Sequence, residues 1–402
     1  MTEPGRVAPL VRVPRTVLLL GLVSLFADIS SEMVYPLLPL FLTETLGAPA
    51  TAVGLIEGIA EGTASVLKSV SGRLSDVMSR RKPFVVAGYA LSAAAKPLLA
   101  AAFVWPAVLL VRFVDRTGKG LRTAPRDAIL AEATRERTRG RAFGLHRALD
   151  TAGAVLGPLA ALGLIAILGD RYRVVFLVAF LPGLVSVALL SGVREASSAR
   201  NATNSEAEGG ALGWRGLGRP YYILLGATLL FAIGNSSDAF LLLRADDLGL
   251  GATSVVLAYV TFNTTFAFLA TPAGSLSDVL GRRNVLVAGY VIFAVVYVAF
   301  GLVESKQAVW LLFPLYGLFM AMTDGVGRAY VADFAPRDRL GAALGLYHAV
   351  VGVAALLASL IAGALWDAID PAAPFFLGGA TAALTALLLL VALPSARPAD
   401  PI

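Results

Sequence analysis

Apolar runs about twenty residues long follow one another through almost the whole chain. Twenty residues of helix rise about 30 Å, the thickness of a bilayer's hydrocarbon core. A backbone crossing that layer finds no water to bond, so each run must be a helix that satisfies its own amides. Twelve such runs can be placed, at roughly 16–42, 51–71, 83–104, 106–132, 141–168, 173–193, 219–243, 252–275, 284–303, 308–333, 341–366 and 373–394. The first is too long for a cleaved leader, and no small-residue cleavage site follows it. Of the 402 residues, 57% are hydrophobic and 15% are charged, against about 25% charged in a soluble domain. That excludes a soluble enzyme, a disordered tail protein and a nucleic-acid binder, in spite of a formal net charge of +6. With no cysteine and two histidines, neither thiol chemistry nor a Cys- or His-rich metal site is expected. No G-x-x-x-x-G-K-[ST] phosphate loop is present, so neither a nucleotide nor another cofactor is expected.

Basic residues set the orientation. With the amino terminus inside, the inner loops collect about twenty Lys and Arg, and the outer ones only Arg171, Arg173, Arg244 and Lys306. Both termini are therefore expected in the cytoplasm of a cell whose inner membrane the chain spans.

The polar stretch 194–218 separates six runs (1–193) from six (219–402) and reads as a cytoplasmic linker. Across it the halves repeat at an offset near 201. Gly72-Arg-Leu-Ser-Asp76 returns as Gly274-Ser-Leu-Ser-Asp278, and Val86-Ala-Gly-Tyr89 as Val287-Ala-Gly-Tyr290. Gly140–Leu145 returns as Gly341–Leu346, and Ser30-Ser-Glu32 as Ser236-Ser-Asp238. Paired six-helix halves are a mark of transporters, with the site between the halves near mid-membrane.

These motifs resemble the major facilitator superfamily along essentially the whole chain. Gly72, Leu74, Ser75, Asp76, Arg80 and Arg81 fit its loop signature G-x-L-S-D-x-x-x-R-R, with Val77 and Ser79 departing from the fuller pattern. Gly144, Gly153 and Gly157-Pro158 fit the G-x8-G-x3-G-P spacing of its antiporter signature, without the closing glycine pair. Pro36-Leu-Leu-Pro39 is similar to the P-x-x-P of twelve-span drug exporters. The resemblance implies an all-α membrane fold of two pseudo-symmetric halves, working by alternating access. It gives a gating role to Gly72, Asp76, Arg80 and Arg81, to Gly274, Asp278, Arg282 and Arg283, and to Gly153, Gly157 and Pro158.

A charge at the bilayer centre costs at least about 2.5–3.5 kcal/mol, so each one asks for a function. Asp28 and Glu32 lie one turn apart on one face of span one, and Arg112, Arg116 and Lys119 share a face of span four. In the superfamily spans one, four, seven and ten line the central cavity, which implies that the acidic and basic faces look at each other. Asp28, Glu32, Arg112 and Arg116 are the expected proton-coupling set. Arg112, Arg116 and Lys119, with Asn235, Asp238, Asn263 and Asp324 from the second half, are the expected substrate contacts. The alternative for the charges is structural pairing, with Arg112 as a tie between helices and Lys119, Arg122 and Arg126 reaching towards the cytoplasmic surface.

The favoured reading is proton-driven export by exchange of a small molecule, carried out by a monomer in the lipid bilayer, with no enzymatic activity. The alternative is transport of an anionic metabolite, an organic phosphate or carboxylate, on the basic face of span four. A membrane sensor or an intramembrane enzyme is a remote third: the linker leaves no room for an output domain, and neither His146 nor His348 has a ligand cluster.

Overall fold

The computed structural model describes residues 14–78, 80–134, 136–193, 217–335 and 339–393. The expected linker falls almost entirely outside the described residues, and so does the side chain of Asp76. Twelve spans are present among the described residues. In the first half they are Arg15–Thr45, Ala50–Val77, Lys82–Ala100, Trp105–Glu132, Glu136–Leu168 and Tyr172–Leu189. In the second half they are Arg219–Asp247, Ala252–Leu280, Arg282–Leu302, Val309–Phe334, Leu340–Ala368 and Ala373–Ala392.

Eleven of these are long and apolar enough to cross a membrane on length and composition alone. Span four fails that criterion because Arg112, Asp115, Arg116, Lys119, Arg122, Arg126 and Asp127 interrupt it. It is nevertheless a continuous helix of 28 residues, packed against spans two and three. Its charges face protein or a cavity, which is the only tolerable place for them at that depth.

Spans one and seven are both broken. Regular helix in span one ends at Glu32, and short 3-10 and π turns carry the chain past Pro36 and Pro39, which lack the N–H that α-helix needs. Span seven stops at Gly234 and resumes at Ala239, with Asn235 out of helical conformation. The breaks free polar side chains at mid-span, and the Tyr35 and Ser237 hydroxyls meet there across the halves at 3.4 Å.

The halves touch along spans two and eleven and along spans five and eight. Lipid supplies no hydrophobic drive between helices, so close packing of small residues must hold them. A Cβ on Gly54 would sit 2.1 Å from the Ser359 carbonyl oxygen, and one on Gly363 would sit 2.6 Å from Thr51 Cα. Only glycine permits that approach. At the same end Asp367 of span eleven accepts hydrogen bonds from the Ala50 and Thr51 amides at 3.0 and 2.7 Å and from the Thr51 hydroxyl at 2.6 Å. A carboxylate from one half thus caps a helix of the other. This end is closed, and the opposite end carries the basic loops.

Candidate functional site

Span four divides into two stretches. Towards its closed end lies a dry charge network. Arg112 donates to Glu57 of span two at 2.7 Å and reaches Asp115 at 3.4 Å, and Lys96 of span three donates to Asp115 at 2.8 Å. Glu57, Lys96, Arg112 and Asp115 are all at most 6% exposed. One carboxylate oxygen of Glu57 and Nε of Arg112 have no hydrogen-bond partner among the described residues. Arg116 lies 3.6 Å from Glu61 and 4.0 Å from Asp115. Gly118 makes the packing possible, since a Cβ there would meet the Gly88 carbonyl oxygen at 2.5 Å.

Two to three turns further along, spans one, two, four, five, eight and ten separate around a cavity of about 400 Å³. Its charged lining comprises Asp28 and Glu32 of span one, Lys68 of span two, Lys119, Arg122, Arg126 and Asp127 of span four, Arg147 and Asp150 of span five, and Arg328 of span ten. Asn263 and Phe266 of span eight complete the far wall. These residues occupy the part of each span between mid-depth and the basic loops.

Of the expected coupling and substrate residues, Asp28, Glu32, Lys119 and Asn263 line this cavity. Arg112 and Arg116, the expected partners of Asp28 and Glu32, are not part of its lining. Those arginines are 5% and 8% exposed and pair with Glu57 and Glu61 of span two. Arg112, Arg116, Lys119, Arg122 and Arg126 all fall near one helical face, so what separates them is depth, which spacing cannot report. Asp238 accepts from the Tyr316 hydroxyl at 2.6 Å, and Asn235 has a buried, unpartnered side-chain oxygen. Neither lines the cavity, nor does Asp324, whose carboxylate holds Arg328 at 2.8 Å.

One contact of the acidic face was not foreseen. The Glu32 carboxylate accepts a hydrogen bond from the Tyr259 hydroxyl at 2.8 Å, which joins the two halves across the cavity roof. Asp28 and Asp150 line the same cavity. Asp150 also pairs with Arg147 at 3.2 Å, the one contact that i, i+3 spacing gives away.

The glycines of span five have a definite role. A Cβ on Gly153 would meet Asp28 Cβ at 2.8 Å, and one on Gly157 would meet Glu32 Cβ at 2.7 Å. They are the seat on which the acid-bearing turn of span one rests. Pro158 follows inside the same unbroken helix, and nothing lies within 4 Å of a Cβ on Gly144.

The loop-signature residues bond within halves. Arg81 pairs with Glu132. Arg282 pairs with Asp333 at 2.7 Å and lies 3.9 Å from Asp278, which is 71% exposed. Arg283 donates to the Leu393 carbonyl at 2.7 Å. Arg80 is exposed, Gly72 packs near Ala124, and Gly274 has no neighbour within 4 Å of a Cβ.

Two six-span halves with broken first helices enclose a charged cavity between them, and the sequence matches the model of the Major Facilitator Superfamily over residues 20–256 and 223–402. The chain belongs to that superfamily of transporters. It is 36% identical over 382 residues to an uncharacterized MFS-type transporter of Methanocaldococcus jannaschii, covering 94% of each chain. It is 35% identical over 140 residues, 35% of each chain, to the multidrug resistance protein MdtH of Aeromonas hydrophila. In fold it is similar to the crystal structure of the nucleoside transporter NupG, with a TM-score of 0.79 at 13% identity over 94% of this chain and 98% of that one. It is thus a multi-pass membrane transporter.

Proposed function

We propose that this superfamily member couples transport to protons, and that Asp28, Asp150 and Glu32 take up and release them. The gathering of the Asp28, Glu32 and Asp150 carboxyl groups in one cavity carries the reading. Carboxylates gathered in one cavity repel one another, and taking up a proton relieves that repulsion. The second support is the bond from Tyr259 to Glu32, which places a titratable group on a tie between the halves. Protonation of the acids and rocking of the halves are then one event.

On this reading the basic end faces the cytoplasm, and the end where Asp367 caps span two faces outward. The protein works as a monomer in the inner membrane on a small-molecule substrate. For a cationic compound the likeness to MdtH supports export, in which a proton enters as the compound leaves. The charge of the substrate sets the sign of the coupling: a cation competes with the proton, whereas an anion is helped by it.

The test uses purified protein in liposomes and a panel of organic acids, amines and sugars. For whichever compound the wild type carries, Asp28→Asn and Glu32→Gln should abolish accumulation driven by a pH gradient. Exchange of labelled for unlabelled compound at equal pH should survive, because it needs no net proton movement. Gradient-driven accumulation that is unchanged in both variants would remove these acids from the coupling.

A further inference from the structure

The cations of the cavity outnumber their partners. Arg126 is matched by Asp127 at 2.8 Å, Arg147 by Asp150 at 3.2 Å and Arg328 by Asp324 at 2.8 Å. Lys68, Lys119 and Arg122 line the same space and make no ion pair among the described residues. Arg122 is 5% exposed, its guanidinium lies 4.2 Å from the centre of the Tyr89 ring, and its Nη1 is buried without an acceptor. A buried cationic donor left unpaired is costly. Here two further lysines converge on the same space, so the electrostatic demand is for an anion.

The rest of the lining defines the kind of anion. About 400 Å³ accommodates a small organic molecule rather than a bare inorganic ion. Phe266, Ala154 and Val155 offer it an apolar surface, and Asn263 offers an amide.

We propose that the substrate is a small organic anion, whose carboxylate or phosphate sits among Lys68, Lys119 and Arg122 with its apolar part against Phe266, and that it binds together with the proton. The second clause rests on the proton-coupling reading above. Asp28 and Glu32 face the anion site from span one. Around them stand the Arg126–Asp127 pair of span four and the Arg147–Asp150 pair of span five. Tyr259 of span eight, Arg328 of span ten, and Glu61 of span two on Arg116 complete the charged and titratable surroundings. His146 of span five is turned away onto Ser24 at 2.8 Å. An ionised Asp28 or Glu32 repels the anion and a protonated one does not, so each ligand strengthens the other by the same factor. Anion and proton then travel in the same direction.

The experiment measures ligand-induced thermal stabilisation of the purified protein in detergent. The panel holds aromatic and aliphatic carboxylates, organic phosphates, inorganic phosphate, and amine and neutral analogues of similar size. The expected result is stabilisation by an organic anion, several-fold tighter in mildly acidic than in mildly alkaline buffer. Lys119→Gln and Arg122→Gln should each weaken it about tenfold or more, while Lys119→Arg should restore it and show that folding is intact. Asp28→Asn combined with Glu32→Gln should keep anion binding and lose its pH dependence. The carboxylate and phosphate arms say which headgroup the site takes. Stabilisation by amines or neutral compounds alone overturns the substrate class and leaves the proton site standing. Anion binding with the same pH dependence in the double variant as in the wild type overturns the joint binding and, with it, the reading of those acids.

Discussion

The two halves share a backbone register and fill equivalent positions with opposite chemistry. At the repeat offset of 201, Lys96 and Asp115 of the first half correspond to Tyr297 and Tyr316 of the second. The first pair is a 2.8 Å ion bond between spans three and four, and the second is a ring contact of 6.2 Å between spans nine and ten. Around Lys96 and Asp115 lie Arg112 and Glu57. Around the tyrosines lie Phe293, stacked on Tyr297 at 3.8 Å, and Phe319, 5.3 Å from Tyr316. One fold therefore tolerates either a dry ionic core or an aromatic one. They differ in what happens when one member is lost. A ring leaves a void, while a lost ion leaves a buried charge without its partner.

That contrast can be broken most sharply at Asp115. Replacing it with Ala strands Lys96 and weakens the hold on Arg112, for an expected cost of about 3–5 kcal/mol. A melting temperature in detergent no lower than that of the wild type would mean the network is solvated. Removing both charges at once, Lys96→Met with Asp115→Leu, should cost less than Asp115→Ala alone, because no uncompensated ion remains on span three. A double variant less stable than the single one would show that the ionic core has no apolar equivalent, against the example of the other half.

A smaller effect is expected at the glycine seat. Gly153 and Gly157 correspond to Ala354 and Ala358 in the second half, so their bareness belongs to the acid-bearing side alone. Gly153→Val drives a side chain into Asp28 and should cost about 1–3 kcal/mol and disturb proton-linked transport, while Gly144→Val, in open space, should do neither. Equal effects at the two positions would return Gly153 to generic packing. The mildest change is Tyr316→Phe, which removes the hydroxyl bonded to Asp238 and keeps the ring. About 1 kcal/mol is expected, measured as the same melting shift, and a loss as large as that of Asp115→Ala would erase the distinction between the halves.

The sequence on its own determined the spans, the two-fold repeat and the shared face of Asp28 and Glu32, because these are one-dimensional regularities: run length, offset and helical period. It also picked out span four as the charged helix. Only the tertiary structure decided which of that helix's cations are dry and which face the cavity. Arg112 and Lys119 have the same character and nearly the same azimuth in the sequence, yet one is clasped by Glu57 and the other lines open space. Helical periodicity fixes direction around an axis, whereas the depth at which two halves part depends on how glycines and broken helices from distant segments let the spans meet. The placing of Asp28 and Asp150 in one cavity was decided in the same way, by spans one and five closing over Gly153.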